Sequence, residues 1–339
     1  MADCCGCGAC ALQPLSYGGC AMDWNDFRAA AQALGFAKAG LCDASRFDAQ
    51  ETQVKAQPPL AERRQLRFDP VMDDERTRSI AVLLYPYVPY RTESEGEVFV
   101  DSYYKASNAA YHAAAELERR AVAAGRFVRA NVSYPAKEAA VRAGLGIIGK
   151  NSLLITEEFG SRVVIILFAT DFETDCIPSN QERKECLNCG KCSAACPSGA
   201  IQEEGMIHPE RCLRNFMMEG VVTPVHLRSA CGSGMIGCDV CQRVCPMQPK
   251  DRCDSAPDRF FLDEFMSDDP AVFSEAVRRL ASVIGKNAAR PQRVRAQAAL
   301  LAGNSGNPAY LPVLSAWESL PFEAVQEHAR WAISRIQKK

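Results

Sequence analysis

The clearest apolar run in the chain is Ser79–Tyr85 (Ser-Ile-Ala-Val-Leu-Leu-Tyr), which reads as a buried strand ended by Pro86 and Pro89. Upstream, Phe27, Ala31 and Leu34 recur at helical spacing and predict an amphipathic helix within residues 23–45 that stops near Gly35. A short strand over Ala37–Cys42 follows, then a polar stretch, 46–78, broken at Pro58-Pro59 and read as surface helix and loop. Asn108 is placed to cap a helix running to Ala124 and closed by Gly125, with Tyr111 and His112 in its first turn and Asp101, Tyr103, Tyr104 and Lys105 just upstream. Phe127–Val132 predicts the next strand and Pro135 the start of a helix over Ala136–Ala143. Ser152–Thr156 and Val163–Thr170 predict a hairpin across the turn at Glu157–Ser161. Alternating helices and strands make residues 23–175 an α/β or α+β domain.

Beyond an acidic stretch from Asp251 to Pro270 the pattern becomes Ala/Leu-rich with helical spacing over Ala271–Ile284, Gln292–Leu301, Ala309–Ser319 and Glu323–Ile336. This reads as paired antiparallel helices of a HEAT-like repeat. Overall, 39 basic residues against 41 acidic give a net charge of −2, which excludes a polybasic nucleic-acid binder as a whole. Residues 281–339, however, hold Lys286, Arg290, Arg293, Arg295, Arg330, Arg335, Lys338 and Lys339 against three Glu. That segment suits either a phosphate backbone or a solvated outer face. With 47% hydrophobic and 24% charged residues, the composition is that of a globular protein. No apolar run reaches the length of a membrane span and no signal peptide is evident, so a reducing, cytoplasmic setting is expected.

Cysteine changes this picture most. Eight of the seventeen fall into two sets, Cys186-x2-Cys189-x2-Cys192-x3-Cys196-Pro197 and Cys238-x2-Cys241-x3-Cys245-Pro246, with Cys212 standing between them. The first is the bacterial ferredoxin run, whose fourth cysteine ligates the other cluster. One 4Fe–4S cluster is then expected on Cys186, Cys189, Cys192 and Cys245, and a second on Cys196, Cys212, Cys238 and Cys241. Two structural zinc sites are the alternative, since paired CxxC motifs also bind zinc. Cys212 is expected on a helix over Pro209–Glu219. Residues 1–21 carry Cys4, Cys5, Cys7, Cys10 and Cys20, which suit either a third metal site or an exposed extension. Cys42, Cys176 and Cys253 read as small core or surface residues, and Cys231, near the second motif, as a spare thiol or one facing a bound cofactor. Gly144-Leu-Gly146-Ile-Ile-Gly149 matches the dinucleotide-binding string but follows a helix instead of a strand, so it reads as a tight turn or a close backbone approach. The expected organisation is an extension over 1–21, a catalytic domain over 22–175, a double-cluster domain over 176–250 and a helical domain over 251–339.

Taken together, the strand Ser79–Tyr85, the segment Tyr104 to Tyr111-His112, the loop Ala143-Gly-Leu-Gly-Ile-Ile-Gly-Lys-Asn151, the cluster region with Gly237-Cys-Asp-Val-Cys-Gln242, and Glu327-His-Ala-Arg-Trp-Ala332 resemble the epoxyqueuosine reductase family. The resemblance implies an N-terminal cobalamin domain like the core of reductive dehalogenases, a ferredoxin-like domain whose two clusters reduce the cobalt to cob(I)alamin, and a tRNA anticodon loop as substrate. It further implies cobalamin contacts from Lys150, Asn151, Leu154, Arg214, Asn215, Asp239 and Val240. The cofactor carries the reduction and the protein positions it. The family's Asp-x-Ala-Pro stretch, whose Asp is its proposed proton donor, is replaced here by Val132-Ser133-Tyr134-Pro135. Tyr134, Glu138 or Tyr104, or else His112, is expected to take that role.

Three readings follow: an epoxyqueuosine reductase-like oxidoreductase acting on tRNA, a dehalogenase-like reductase of a small molecule with the same cofactors, and a two-cluster electron carrier. The missing Asp favours the second and the basic tail the first. An unidentified electron donor is a required partner, and a monomer is expected.

Overall fold

The computed structural model describes residues 22–56, 66–90, 92, 94–174, 185–202, 207–249 and 258–338. The cysteines of segment 1–21, Pro58-Pro59, Cys176, Cys253 and Lys339 lie outside the described residues.

A four-stranded antiparallel sheet forms the N-terminal half, in the order Lys38–Asp43, Ser79–Pro86, Val163–Thr170, Val128–Ala130. The apolar run was unbroken because both faces of its strand are covered. Ala81 and Leu83 point to one face, where Phe27 of the helix Trp24–Ala33 meets Phe168 and Phe172. On that face Ala106, Ala110, Ala114, Leu117 and Ala121 form a small-residue stripe along the helix Ser102–Ala123, which brings it close to the sheet. Ile80, Val82 and Leu84 point to the other face, where they pack with Phe47, Tyr134, Leu154 and the helix Ala136–Arg142.

Two expectations fail here. The long helix begins at Ser102, not after Asn108, because Asp101 caps it by accepting the Tyr103 N–H at 3.0 Å. Tyr103 and Tyr104 are therefore in its first turn, while Tyr111 and His112 stand exposed further along. Val163–Thr170 also does not pair with the segment before it. Both its edges are taken, by Ser79–Pro86 and Val128–Ala130, and Leu154–Ile155 pairs instead with Ile147–Ile148.

The helices Pro270–Ile284, Pro291–Ser305, Leu311–Trp317 and Glu323–Ile336 build the C-terminal half. Gly303 lets two of them meet closely, since a Cβ there would lie 2.6 Å from Trp331 Cζ3 and 2.9 Å from Ala332 Cα. Their core is shared. Val98 and Val100, and Met235 and Ile236, join it from a short parallel pair, Phe99–Val100 with Gly234–Ile236. The helical half is thus continuous with the segment leading into Cys238. Among the described residues no helix is long and apolar enough to cross a membrane.

Candidate functional site: two crossed cysteine sets and the residues around them

The eight motif cysteines gather in one region, where most neighbour relations follow the two expected sets and Cys241 also has Cys192 beside it. Cys192 has the sulfurs of Cys245 and Cys186 as electrostatic neighbours, and Cys245 has those of Cys186 and Cys189. Cys212 neighbours Cys196, Cys238 neighbours Cys212 and Cys196, and Cys241 faces all three of those. A zinc ion at about 2.3 Å from each sulfur would draw four thiolates to within about 4 Å of one another. The Cys-x2-Cys-x2-Cys-x3-Cys-Pro run is the spacing of iron–sulfur ligation, and the donors are the soft thiolates that such clusters take.

Local structure prepares the sulfurs unequally. The helix Lys191–Ala195 starts at Gly190, whose φ of 71° turns the chain between Cys189 and Cys192. Burial opposes ionisation of Cys196, yet hydrogen bonds from Ser198 and from the Ala200 N–H at 3.3 Å hold its thiol below the ordinary range. Cys238 is pushed up to about 11 by burial, with the sulfur of Cys212 adding, and Cys241 higher still for the same reasons. Ligation must displace those protons, so cluster binding and folding are coupled. Cys189 is exposed, which places the first set nearer solvent than the second. Cys212 precedes a single 3₁₀ turn, Leu213–Asn215, instead of riding on the helix expected over Pro209–Glu219. Asn215 fixes that turn through Nδ2 to the Pro209 carbonyl at 2.7 Å.

The second cysteine arm is pinned to the sheet by side-chain amides. Tyr87 Oη and Ser161 Oγ donate to Gln242 Oε1 at 3.0 and 3.3 Å, and the Ser161 N–H donates to Gln248 Oε1 at 3.2 Å. Neither glutamine was singled out from the sequence. Their position beside ligating cysteines, Gln242 just after Cys241, was the available signal.

Lys150 and Asn151 line a cavity of about 20 Å³ with Cys186, Cys189, Cys192 and Cys245. Asn151 is 3% exposed; its Oδ1 accepts the Leu153 N–H at 3.3 Å and its Nδ2 has no partner. An orphaned buried amide beside the cysteines suits the polar edge of a bound group, although the cavity holds only one water's volume. The glycines of this loop serve backbone approach: a Cβ on Gly146 would lie 2.5 Å from the Ile155 carbonyl oxygen. Leu154 packs in the core at 2% exposure.

A second constellation surrounds Cys212 and Cys238. The Arg214 guanidinium lies 5.6 Å from the ring centroids of both Tyr103 and Tyr104, which meet edge to face at 5.5 Å. Asp101 and Asp239 are both 6% exposed, and Asp239 pairs with Arg243 at 3.2 Å. Gly237, at φ 88°, closes on Asp101 and Tyr104: a Cβ there would fall 2.3 Å from Asp101 Cβ and 3.0 Å from Tyr104 Cε2. Burial raises the Asp101 carboxyl to about 6, and the nearby Asp239 carboxylate adds, against the Tyr103 N–H and Arg214. Burial drives Tyr104 well above the ordinary phenol range. Sequence reading passed over Asp101 as a site, because a helix cap and a functional carboxyl look alike in one dimension.

The other candidates lie elsewhere. Tyr134 stacks on Phe47 at 6.4 Å, and its hydroxyl faces Asp73 and Arg129 without a formed hydrogen bond. Burial lifts it to about 12, with Asp73 adding. Glu138 pairs with Arg142 at 3.6 Å on the same side. Val240 opens the short helix Val240–Arg243, half-buried. Cys231 is buried and packs with Leu213, Met217 and Leu227.

Residues 185–248 match the family model of the 4Fe–4S double cluster binding domain. The chain is 33% identical over 147 residues to the epoxyqueuosine reductase of Bacillus subtilis, which covers 42% of this chain and 35% of that protein. To the Pseudomonas aeruginosa epoxyqueuosine reductase it is 31% identical over 214 residues, covering 60% of this chain and 58% of that one. In both cases the match spans less than two thirds of the relative. In fold, a Streptococcus thermophilus epoxyqueuosine reductase superposes with a TM-score of 0.74 over 93% of this chain and 90% of that one, at 21% identity. A crystal structure of an epoxyqueuosine reductase with an epoxyqueuosine-modified tRNA stem loop gives 0.74 over 92% and 89%, at 22% identity. The chain thus resembles the epoxyqueuosine reductases in sequence and has their mixed α/β fold, with a double-cluster domain inserted.

Proposed function

We propose that this chain is an epoxyqueuosine reductase-like oxidoreductase, reducing epoxyqueuosine to queuosine in a tRNA anticodon loop. The observation that carries the reading is the crossed pair of cysteine sets, one bordered by Lys150 and the orphaned Asn151 amide and the other by Asp101, Tyr104 and Arg214. The relatives of similar sequence are named for that activity, and one structure of the same fold carries the modified stem loop. The resemblance adds cobalamin, which with the clusters would supply the electrons and the strong nucleophile that opening an epoxide requires.

The chain's own residues then do the following. Lys150 and Asn151 hold the polar edge of the bound cofactor, with Arg214, Asn215, Asp239 and Val240 bordering the second set. Leu154 supports the loop from within the core. The Asp101 carboxyl, raised to about 6, can take up and release a proton closer to neutral pH than Tyr134 or Tyr104 can, so it is the better replacement for the family's missing Asp. The four C-terminal helices, HEAT-like in their sequence spacing, present Lys286 and Arg290 towards a phosphate backbone. The setting is cytoplasmic, and an external one-electron carrier supplies the clusters.

A second reading, a small-molecule reductase with the same cofactors, draws support from the tail's charges. Arg293 donates to the Met218 carbonyl, Arg295 stacks on Phe273, Arg330 pairs with Glu327, and Arg335 donates to Ser229. Half of the basic residues counted in sequence are thus engaged inside the chain. Complementation of a bacterial strain lacking epoxyqueuosine reductase, with its tRNA nucleosides read by mass spectrometry, separates the two. Queuosine is expected. Persistence of epoxyqueuosine alongside soluble, iron-loaded protein would overturn the tRNA reading.

A further inference from the structure

Arg214 is half-buried beside a cysteine set, and no carboxylate neutralises it by direct pairing among its described contacts. The 3₁₀ turn fixes its backbone two residues from Cys212, and the two tyrosine faces fix its head group. Tyr103 and Tyr104 are themselves fixed by the helix start that Asp101 caps. This is a charge held in place by packing, not one left to wander in solvent.

We propose that Arg214 makes the second cysteine set easier to reduce, its fixed positive charge lying near Cys212 between the rings of Tyr103 and Tyr104. Reduction adds one electron, and so one negative charge, to a cluster. A nearby cation in a poorly solvated site favours the added charge, and net charge, sulfur hydrogen bonds and exposure are the levers that set cluster potentials. The first set lies closer to water, with Cys189 and Lys191 exposed and Lys150 half-buried at the cavity it shares with that set. Asp101, buried on the same side, works in the opposite sense to Arg214. The inference rests on the two-cluster reading.

The test is an anaerobic redox titration of the iron-loaded full chain, followed by electron paramagnetic resonance. Cys212→Ser identifies which signal belongs to the second set. Arg214→Gln should shift that cluster's reduction equilibrium about tenfold towards the oxidised form, equivalent to about 59 mV for a one-electron couple, and leave the first cluster in place. Arg214→Lys, which keeps the charge, should recover most of the shift. Asp101→Asn, which keeps a helix cap, should move the same cluster the other way. The proposal is overturned if Arg214→Gln leaves the second cluster unmoved, moves both clusters alike, or shifts in the same direction as Asp101→Asn. If Arg214→Gln loses iron, the sign of the Asp101→Asn shift decides. Wild-type protein holding no iron–sulfur cluster would instead overturn the two-cluster reading beneath it.

Discussion

His328 is 2% exposed, in the helix Glu323–Ile336. Its Nε2 accepts the Thr223 N–H at 2.9 Å and its Nδ1 donates to the Ala296 carbonyl at 2.8 Å. The imidazole is therefore neutral, and it joins the last helix both to its neighbour and to the loop between Cys212 and Cys238. Burial lowers its pKa from 6.5 to about 4, with Arg228 assisting and Glu327 and the Ala296 bond opposing. Between those values the unfolded chain binds the extra proton and the folded chain does not. The stability involved is fully present above pH 6.5 and is lost as the pH falls towards 4, by about 2 kcal/mol at pH 5 and about 3 kcal/mol at pH 4. His328→Gln removes the titration and keeps one donor and one acceptor. Denaturant unfolding of both proteins at pH 7.5 and pH 5 isolates the effect, since other groups titrate equally in each. The stability gap between them should change by about 2 kcal/mol in the variant's favour at pH 5. A gap that stays constant, or an imidazole proton resonance titrating near pH 6.5, would refute the reasoning.

Cys212→Ser should lower bound iron from about eight to about four atoms per chain, read by iron analysis; full loading would show that Cys212 is not a ligand. Gly146→Ala should cost about 1–3 kcal/mol, because the Ile155 carbonyl cannot retreat without breaking the Ile147–Ile155 pairing, and a melting curve matching wild type would contradict this. Removal of residues 258–339 should abolish cluster loading as well as any tRNA binding, since the tail shares its core with Val98, Val100, Met235 and Ile236. A soluble truncated chain with full iron content would refute that shared core. Lys286→Glu with Arg290→Glu is the milder probe, expected to weaken tRNA binding while iron content holds.

What the sequence revealed followed from how local each signal was. Ser79–Tyr85 was legible because a strand covered on both faces needs no partner to be seen. The cysteine sets were legible because cluster ligation imposes a short, fixed spacing. The partner of Val163–Thr170 was not, since nearness along the chain favoured Leu154–Ile155 while the sheet offered two longer apolar neighbours. The start of the long helix was missed because Asn108 and Asp101 are both sound caps, and only Ile236, accepting the Asp101 N–H at 3.0 Å, decides between them. The grouping of Asp101, Tyr104 and Arg214 spans more than a hundred residues of chain, and no periodic pattern reports a contact at that range.

The exchange of one cysteine between the sets also bears on how the protein is made. In the proposed assignment Cys196 is synthesised with the first set but serves the second, and Cys245, the last of the eight, closes the first. The second set has all its ligands once Cys241 is made and the first only at Cys245, so neither cube can be completed until the last few motif residues are in the chain. Maturation is then a late event in which both clusters are delivered to a nearly complete chain.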